Sequence, residues 1–223
     1  MSCVCEMKAI IFDMDGTLVD SLMFWDVLWA NFGEKYLGDK NFRPSEEDDK
    51  KVRPLTLKDA MQLVHDNYKL GESGEELLNC ANQALIDFYA NDVTLKLGVK
   101  EFLEYCKNTG VKTCIASATA PELLSVALAN CGIAQYFPKV FSCGAIGKGK
   151  DQPDVFLLAQ RYLGESISDT WVAEDSLVAI ETATKIGMPT IGVYDAYNYG
   201  QERIKEIATE YIAPGETLVK LIK

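Results

Sequence analysis

Four apolar residues in a row, Ala9-Ile10-Ile11-Phe12, stop abruptly at Asp13-Met14-Asp15-Gly16-Thr17. A short β-rich run bounded by a polar turn reads as a strand buried on both faces, and such strands belong to parallel sheets covered by helices. The pattern recurs at Val111–Ala116, Lys139–Ser142, Thr170–Ala173 and Thr190–Tyr194. Between these runs apolar residues follow the i, i+3, i+4, i+7 spacing of amphipathic helices: Val99, Phe102, Leu103 and Cys106; Leu124, Ala127, Leu128 and Cys131; Val155, Leu158, Ala159 and Tyr162. Strand and helix in alternation require right-handed crossovers, so the fold class is α/β, a doubly wound parallel sheet.

One stretch breaks the rhythm. Residues 20–91 carry helical patterns (Leu57, Ala60, Met61 and Val64; Leu77, Ala81, Ala84, Leu85 and Phe88) and no convincing strand. The expected organisation is an α/β core made of residues 1–19 and 92–223, with residues 20–91 inserted as a helical cap directly after the first strand. Within it the polar run Asp39–Lys51 reads as a solvated loop, and His65, Phe24 and Trp29 read as packing residues.

With 22 Lys and Arg against 33 Asp and Glu, the formal charge of -11 argues against sequence-independent binding to nucleic acid or to anionic membranes. Seven scattered cysteines with no C-x-x-C suggest neither disulfides nor zinc, and no run approaches the roughly 18 apolar residues of a membrane span, so a reducing cytoplasm is the expected compartment. A site for an anion in so acidic a chain must carry its own positive charge, from a metal, a lysine or a helix N-terminus.

Ligands of open parallel sheets bind beyond the carboxyl ends of the strands. The residues standing there are Asp13 and Asp15 after the first run, Ser117, Ala118 and Thr119 after the second, Glu174 and Asp175 after the fourth, and Lys150 in the loop Gly147–Asp154 beyond the third. Carboxylates brought so close stay ionised only around a cation, and an all-oxygen donor set of Asp13, Asp15, Glu174 and Asp175 selects a hard one, Mg²⁺. The substrate is then a phosphate ester of a small metabolite. Lys150, the Ser117 hydroxyl and the N–H groups around Ala118 would take its phosphate oxygens. Asp13 is assigned as nucleophile, forming an aspartyl phosphate, and Asp15 as the acid and base that serves leaving group and water. Asp195, after the last run, reads as a turn residue.

The motifs Phe12-Asp13-Met14-Asp15-Gly16-Thr17-Leu18-Val19-Asp20-Ser21, Ile115-Ala116-Ser117-Ala118-Thr119, Lys150-Asp151-Gln152-Pro153-Asp154 and Glu174-Asp175-Ser176, in this order, resemble those of the haloacid dehalogenase-like superfamily. The resemblance covers almost the whole chain and implies a Rossmann-like core, a type 1 helical cap that closes over the site, and, through Asp15, the phosphatase branch. The third motif commonly reads Lys-Pro-x-Pro; here Asp151 replaces the first proline and Lys148 competes, with Lys150 favoured by its spacing to Pro153 and Asp154. Asp175 is favoured over Glu174 as the direct metal ligand. Trp25 and Arg53 are the cap's candidates for substrate contact, and a monomer or weak dimer is expected. The alternative is a sugar phosphomutase of the beta-phosphoglucomutase type. Such mutases carry a histidine where Trp25 stands. A more remote alternative is a phospho-aspartate signalling protein, which uses the same residue types but lacks a helical insertion.

Overall fold

The structure, a computed structural model, describes residues 7–53 and 55–222; Cys3 and Cys5 lie outside them. The chain forms two compact units, one made of residues up to Leu22 and from Val93 onward, the other of Met23–Asp92.

In the first unit, β1 (Ala9–Phe12) is followed by a two-residue strand β2 (Val19–Asp20). The chain passes through the helical unit, with α1 (Phe24–Leu37), α2 (Glu46–Val52), α3 (Leu57–Tyr68) and α4 (Gly74–Asn91), and returns as β3 (Thr94–Leu95). It continues through α5 (Val99–Thr109), β4 (Lys112–Ser117), α6 (Pro121–Asn130), β5 (Val140–Ser142), α7 (Cys143–Ile146) and α8 (Asp154–Leu163). The last elements are β6 (Thr170–Glu174), α9 (Leu177–Lys185), β7 (Thr190–Val193), α10 (Gln201–Ile207) and β8 (Glu210–Ile212).

Six strands form one sheet in the order β5-β4-β1-β6-β7-β8, every pairing parallel. β1 lies at its middle because an apolar run with no polar position can be buried on both faces. Ala9 and Ile11 pack with Val155, Phe156 and Ala159 of α8 and Ala179 and Ala183 of α9. Phe12 alternates to the opposite face, where its ring meets Phe102 of α5 edge-on at 6.3 Å and Phe137 at 5.8 Å. The sheet is thus wound on both sides.

Three elements differ from the sequence reading. β8 joins the sheet beyond the last expected strand; a three-residue edge strand with one buried side chain leaves too little alternation to recognise. β2 and β3 pair antiparallel, Val19 with Leu95 and Asp20 with Thr94, so the chain leaves the first unit and re-enters it through one hydrogen-bonded ribbon. The run Asp39–Lys51 is not all loop, since Glu46–Val52 forms α2. Its stability comes from ends and charges rather than an apolar stripe: Ser45 caps it by accepting from the Asp48 N–H, four acids fill the first turn, and Lys50 and Lys51 reach back to Glu46 and Glu47.

In the helical unit, Phe24, Leu28, Trp29 and Phe32 of α1, Ala60, Met61 and Val64 of α3, and Leu77, Ala81 and Phe88 of α4 are buried. His65 ties the end of α3 to the Leu70 carbonyl through Nδ1, 2.8 Å away.

Candidate active site

The chain turns sharply after β1. Asp13 extends the pairing with β6 by donating its N–H to the Ala173 carbonyl at 2.9 Å, and the N–H groups of Leu18 and Val19 both return to the Met14 carbonyl. Gly16 sits in this turn at φ 75°, a conformation that disfavours any side chain, and a Cβ there would also collide with the Asp175 carboxylate. The backbone thereby brings the end of β1 against the end of β6.

There Asp13, Glu174 and Asp175 gather, with one carboxylate oxygen of each within 4.8 Å of the others, and all three are buried. The Lys150 ammonium lies among them, 2.6 Å from Asp13 Oδ1 and hydrogen-bonded to Glu174 Oε1, with 12% of its side chain exposed. Lys148 instead pairs with Asp154 at 2.6 Å and is 52% exposed, so of the two lysines it is Lys150 that meets the acids. The second Glu174 oxygen accepts the N–H groups of Asp175 and Ser176 at 3.1 Å each and so orders the entry to α9. Asp175 accepts from the Thr17 hydroxyl at 3.1 Å and from the Asn198 amide at 2.7 Å.

Asp15 is placed differently from the other three expected ligands. Its carboxylate accepts hydroxyls on both oxygens, Ser21 at 2.7 Å and Thr119 at 2.7 Å, and it is not one of the three that gather. Ser117 ends β4, buried, with its Oγ accepting the Thr119 N–H at 3.0 Å; Ala118 between them is exposed. Ser117 does not cap the following helix, as Ala120 and Pro121 begin α6.

Burial raises the Asp13 carboxyl well above the ordinary carboxylate range, and Lys150 offsets only part of that because Glu174 and Asp175 add repulsion. Burial, followed by the repulsion of Glu174, pushes Asp175 up to about 7. Burial works against the Lys150 ammonium, yet Asp13 and Glu174 together hold it above its ordinary value. Asp13 and Asp175 hold their protons so firmly because, with all three carboxyls ionised, the one ammonium would leave two negative charges uncompensated in this buried, all-oxygen donor set. That is the charge and the chemistry a hard divalent cation requires, so these residues fit such an ion.

The two residues of the helical unit expected to touch substrate are placed differently from one another. Trp25 is half-buried with its ring 5.4 Å from Trp29. Arg53 has its Nε 2.6 Å from Asp49, which also accepts the Trp29 indole N–H, and only 15% of its side chain is exposed; its nearest charge partner is internal. Sequence reasoning missed Thr17, Ser21 and Asn198. The first two lie inside the first motif, and Asn198 lies three residues past Asp195 in the loop after β7, where inspection of strand ends would reach it if carried further.

A model of haloacid dehalogenase-like hydrolases matches residues 7–187. Among curated proteins, a phosphorylated carbohydrates phosphatase of Thermotoga maritima is 24% identical over 95% of this chain and 97% of its own. A beta-phosphoglucomutase of Bacillus subtilis is 26% identical, covering 84% of this chain and 83% of its own. A solved HAD hydrolase of family IA, variant 3, from Entamoeba histolytica superposes with a TM-score of 0.77 at 22% identity, covering 97% of this chain and 98% of that one. With that match over four-fifths of its length, and with acids gathered where the family's motifs stand, this chain belongs to the haloacid dehalogenase-like hydrolase family and is an enzyme.

Proposed function

We propose that this protein is a Mg²⁺-dependent phosphatase that hydrolyses a small phosphorylated carbohydrate through an aspartyl-phosphate intermediate. The observation that carries the reading is the buried group of Asp13, Glu174 and Asp175 around Lys150, with Asp15 held apart on hydroxyl donors. A divalent ion, when bound there, neutralises phosphoryl oxygens.

The chain's own residues supply the rest. Asp13 uses one oxygen to bond phosphorus as the ester P–O bond breaks, while Lys150 pairs with the other and draws charge from the transferring group. Asp15, oriented by Ser21 and Thr119, gives its proton to the leaving oxygen. It then takes one from the water whose attack on phosphorus breaks the aspartyl phosphate, frees inorganic phosphate and restores Asp13. Ser117 Oγ and the N–H of Ala118 bind the remaining phosphate oxygens. The unit Met23–Asp92 serves as the cap that admits substrate and excludes bulk water, with Trp25 on its first helix as a specificity contact.

Hydrolysis is favoured over mutase chemistry because Trp25 stands where similar mutases carry a histidine, and an indole cannot exchange a proton near neutral pH. The name of the Thermotoga relative points to the carbohydrate class. The free thiols of Cys80, Cys106, Cys114, Cys131 and Cys143 suit a reducing cytoplasm.

The test is phosphate release from a panel of phosphorylated sugars, glycolate and nucleotides, with Mg²⁺ and with EDTA. Release from a sugar phosphate that stops in EDTA and returns with Mg²⁺ supports the reading. Equal rates in EDTA, or isomerised sugar phosphate with no free phosphate, would overturn it.

A further inference from the structure

We propose that Lys96, Asp195 and Asn198 form a positioning chain that fixes the Asp175 carboxylate for its divalent ion and anchors it to the β2–β3 ribbon. This rests on the reading above that Asp175 helps to hold the ion.

Asn198 is the residue in contact. Its Nδ2 donates to Asp175 Oδ2 at 2.7 Å and to the Asp175 carbonyl at 3.1 Å, so one amide grips side chain and backbone of the same residue and locks its rotamer. The orientation of that amide is decided on its other side, because Oδ1 accepts the Tyr199 N–H at 2.9 Å and only Nδ2 is left to face Asp175. Thr17 holds the other carboxylate oxygen at 3.1 Å.

Asn198 stays in place because its loop is wound around Asp195. Asp195 Oδ1 accepts the Tyr197 N–H at 2.8 Å, and its carbonyl accepts the Asn198 N–H at 3.3 Å. Asp195 is 3% exposed, and a carboxylate buried that deeply beside an acidic site needs a cation. Lys96 provides it, 2.7 Å from Oδ2, while also donating to the Tyr194 carbonyl at 3.0 Å. Lys96 directly follows β3, and its own N–H donates to the Leu18 carbonyl at 3.0 Å. Hydrogen bonds therefore run without a gap from the ribbon through which the helical unit is connected, by Lys96, Asp195 and Asn198, to Asp175.

The measurement is Mg²⁺ affinity by calorimetry on the full chain without substrate, with melting temperature and steady-state kinetics alongside. Outer partners of metal ligands typically contribute 10- to 100-fold in affinity. Asn198→Leu should weaken Mg²⁺ about tenfold or more, and at saturating Mg²⁺ the KM for substrate should change less than about threefold. Lys96→Met should weaken Mg²⁺ as well, and Lys96→Met with Asp195→Asn should recover part of the loss, since the amide keeps the turn and removes the lone charge. Asn198→Ser serves if the leucine variant fails to fold. A lowered melting temperature with unchanged Mg²⁺ affinity in these variants would reduce the chain to loop packing and overturn the proposal. If the wild type itself binds no Mg²⁺, the reading on which it rests fails too.

Discussion

The strand-end site and the helical unit use the same ionic contacts with opposite consequences. Lys150 lies 2.6 Å from Asp13 and Lys51 lies 2.7 Å from Glu47, so distance does not tell the pairs apart. Burial does. Lys51 and Glu47 are more than half exposed, and water screens them as well as either partner could. Around Lys150 burial removes most of that screening, so Asp13 and Asp175 hold their protons above the ordinary range and a further cation is needed to replace them. An ion pair at the surface of the helical unit is a local adjustment; at the end of the sheet it is an incomplete site.

The largest expected effect would break that contrast at its centre. Asp13→Asn keeps the volume beside Lys150 but removes the nucleophile, and kcat should fall at least a hundredfold, a loss of ~2.7 kcal/mol or more in barrier lowering. Circular dichroism should remain that of the wild type. A variant retaining more than a few per cent of kcat would rule out covalent transfer through this residue.

A smaller effect sharpens the contrast through pH. Asp175 has its folded value raised to about 7 from an ordinary 3.8, so the folded chain holds this proton more tightly than the unfolded chain. The stability so gained is present in full below about pH 3.8 and is lost as pH rises through about 7. In EDTA at pH 8, Asp175→Asn should therefore melt higher than the wild type, by on the order of 5 °C for a chain of this size, and the gap should close towards pH 4. Mg²⁺ at pH 8 should reverse the order by stabilising the wild type alone. A gap independent of pH would show that Asp175 is not carrying an unfavourable charge.

What could be read in advance follows the same division. The sheet was legible because apolar runs with no polar position, such as Ala9–Phe12, leave no alternative to burial on both faces. The residues after them could be inspected because parallel sheets bind ligands at that end. Three things were not legible. α2 carries a single apolar residue, Val52, so periodicity could not separate it from a loop; capping by Ser45 and pairs four residues apart decide it. Asp15 stands two residues from Asp13, yet its separation from the acidic group depends on Ser21 and Thr119, which arrive from different parts of the chain. Arg53 reads as a candidate for substrate contact because its partner Asp49 lies in a segment whose sequence reads as solvated loop.

The smallest expected effect concerns the exposed pairs, and it tests the comparison from the side where nothing should happen. Glu47 and Lys51 lie one helical turn apart, with the acid nearer the N-terminus, the orientation that also suits the helix dipole. Each pair of this kind trades weak Coulomb attraction in water against the ordering of two long side chains, so replacing both residues by Ala should shift the melting temperature by no more than about 1 °C. Raising the salt concentration should erase even that difference, because the screening length falls to about 3 Å at 1 M. The Lys150 pairs answer differently, since groups this buried are screened far less by salt. If the double substitution lowered the melting temperature by several degrees and 1 M salt left that difference unchanged, the exposed pairs would be contributing as buried ones do. Distance alone, rather than burial, would then govern both regions.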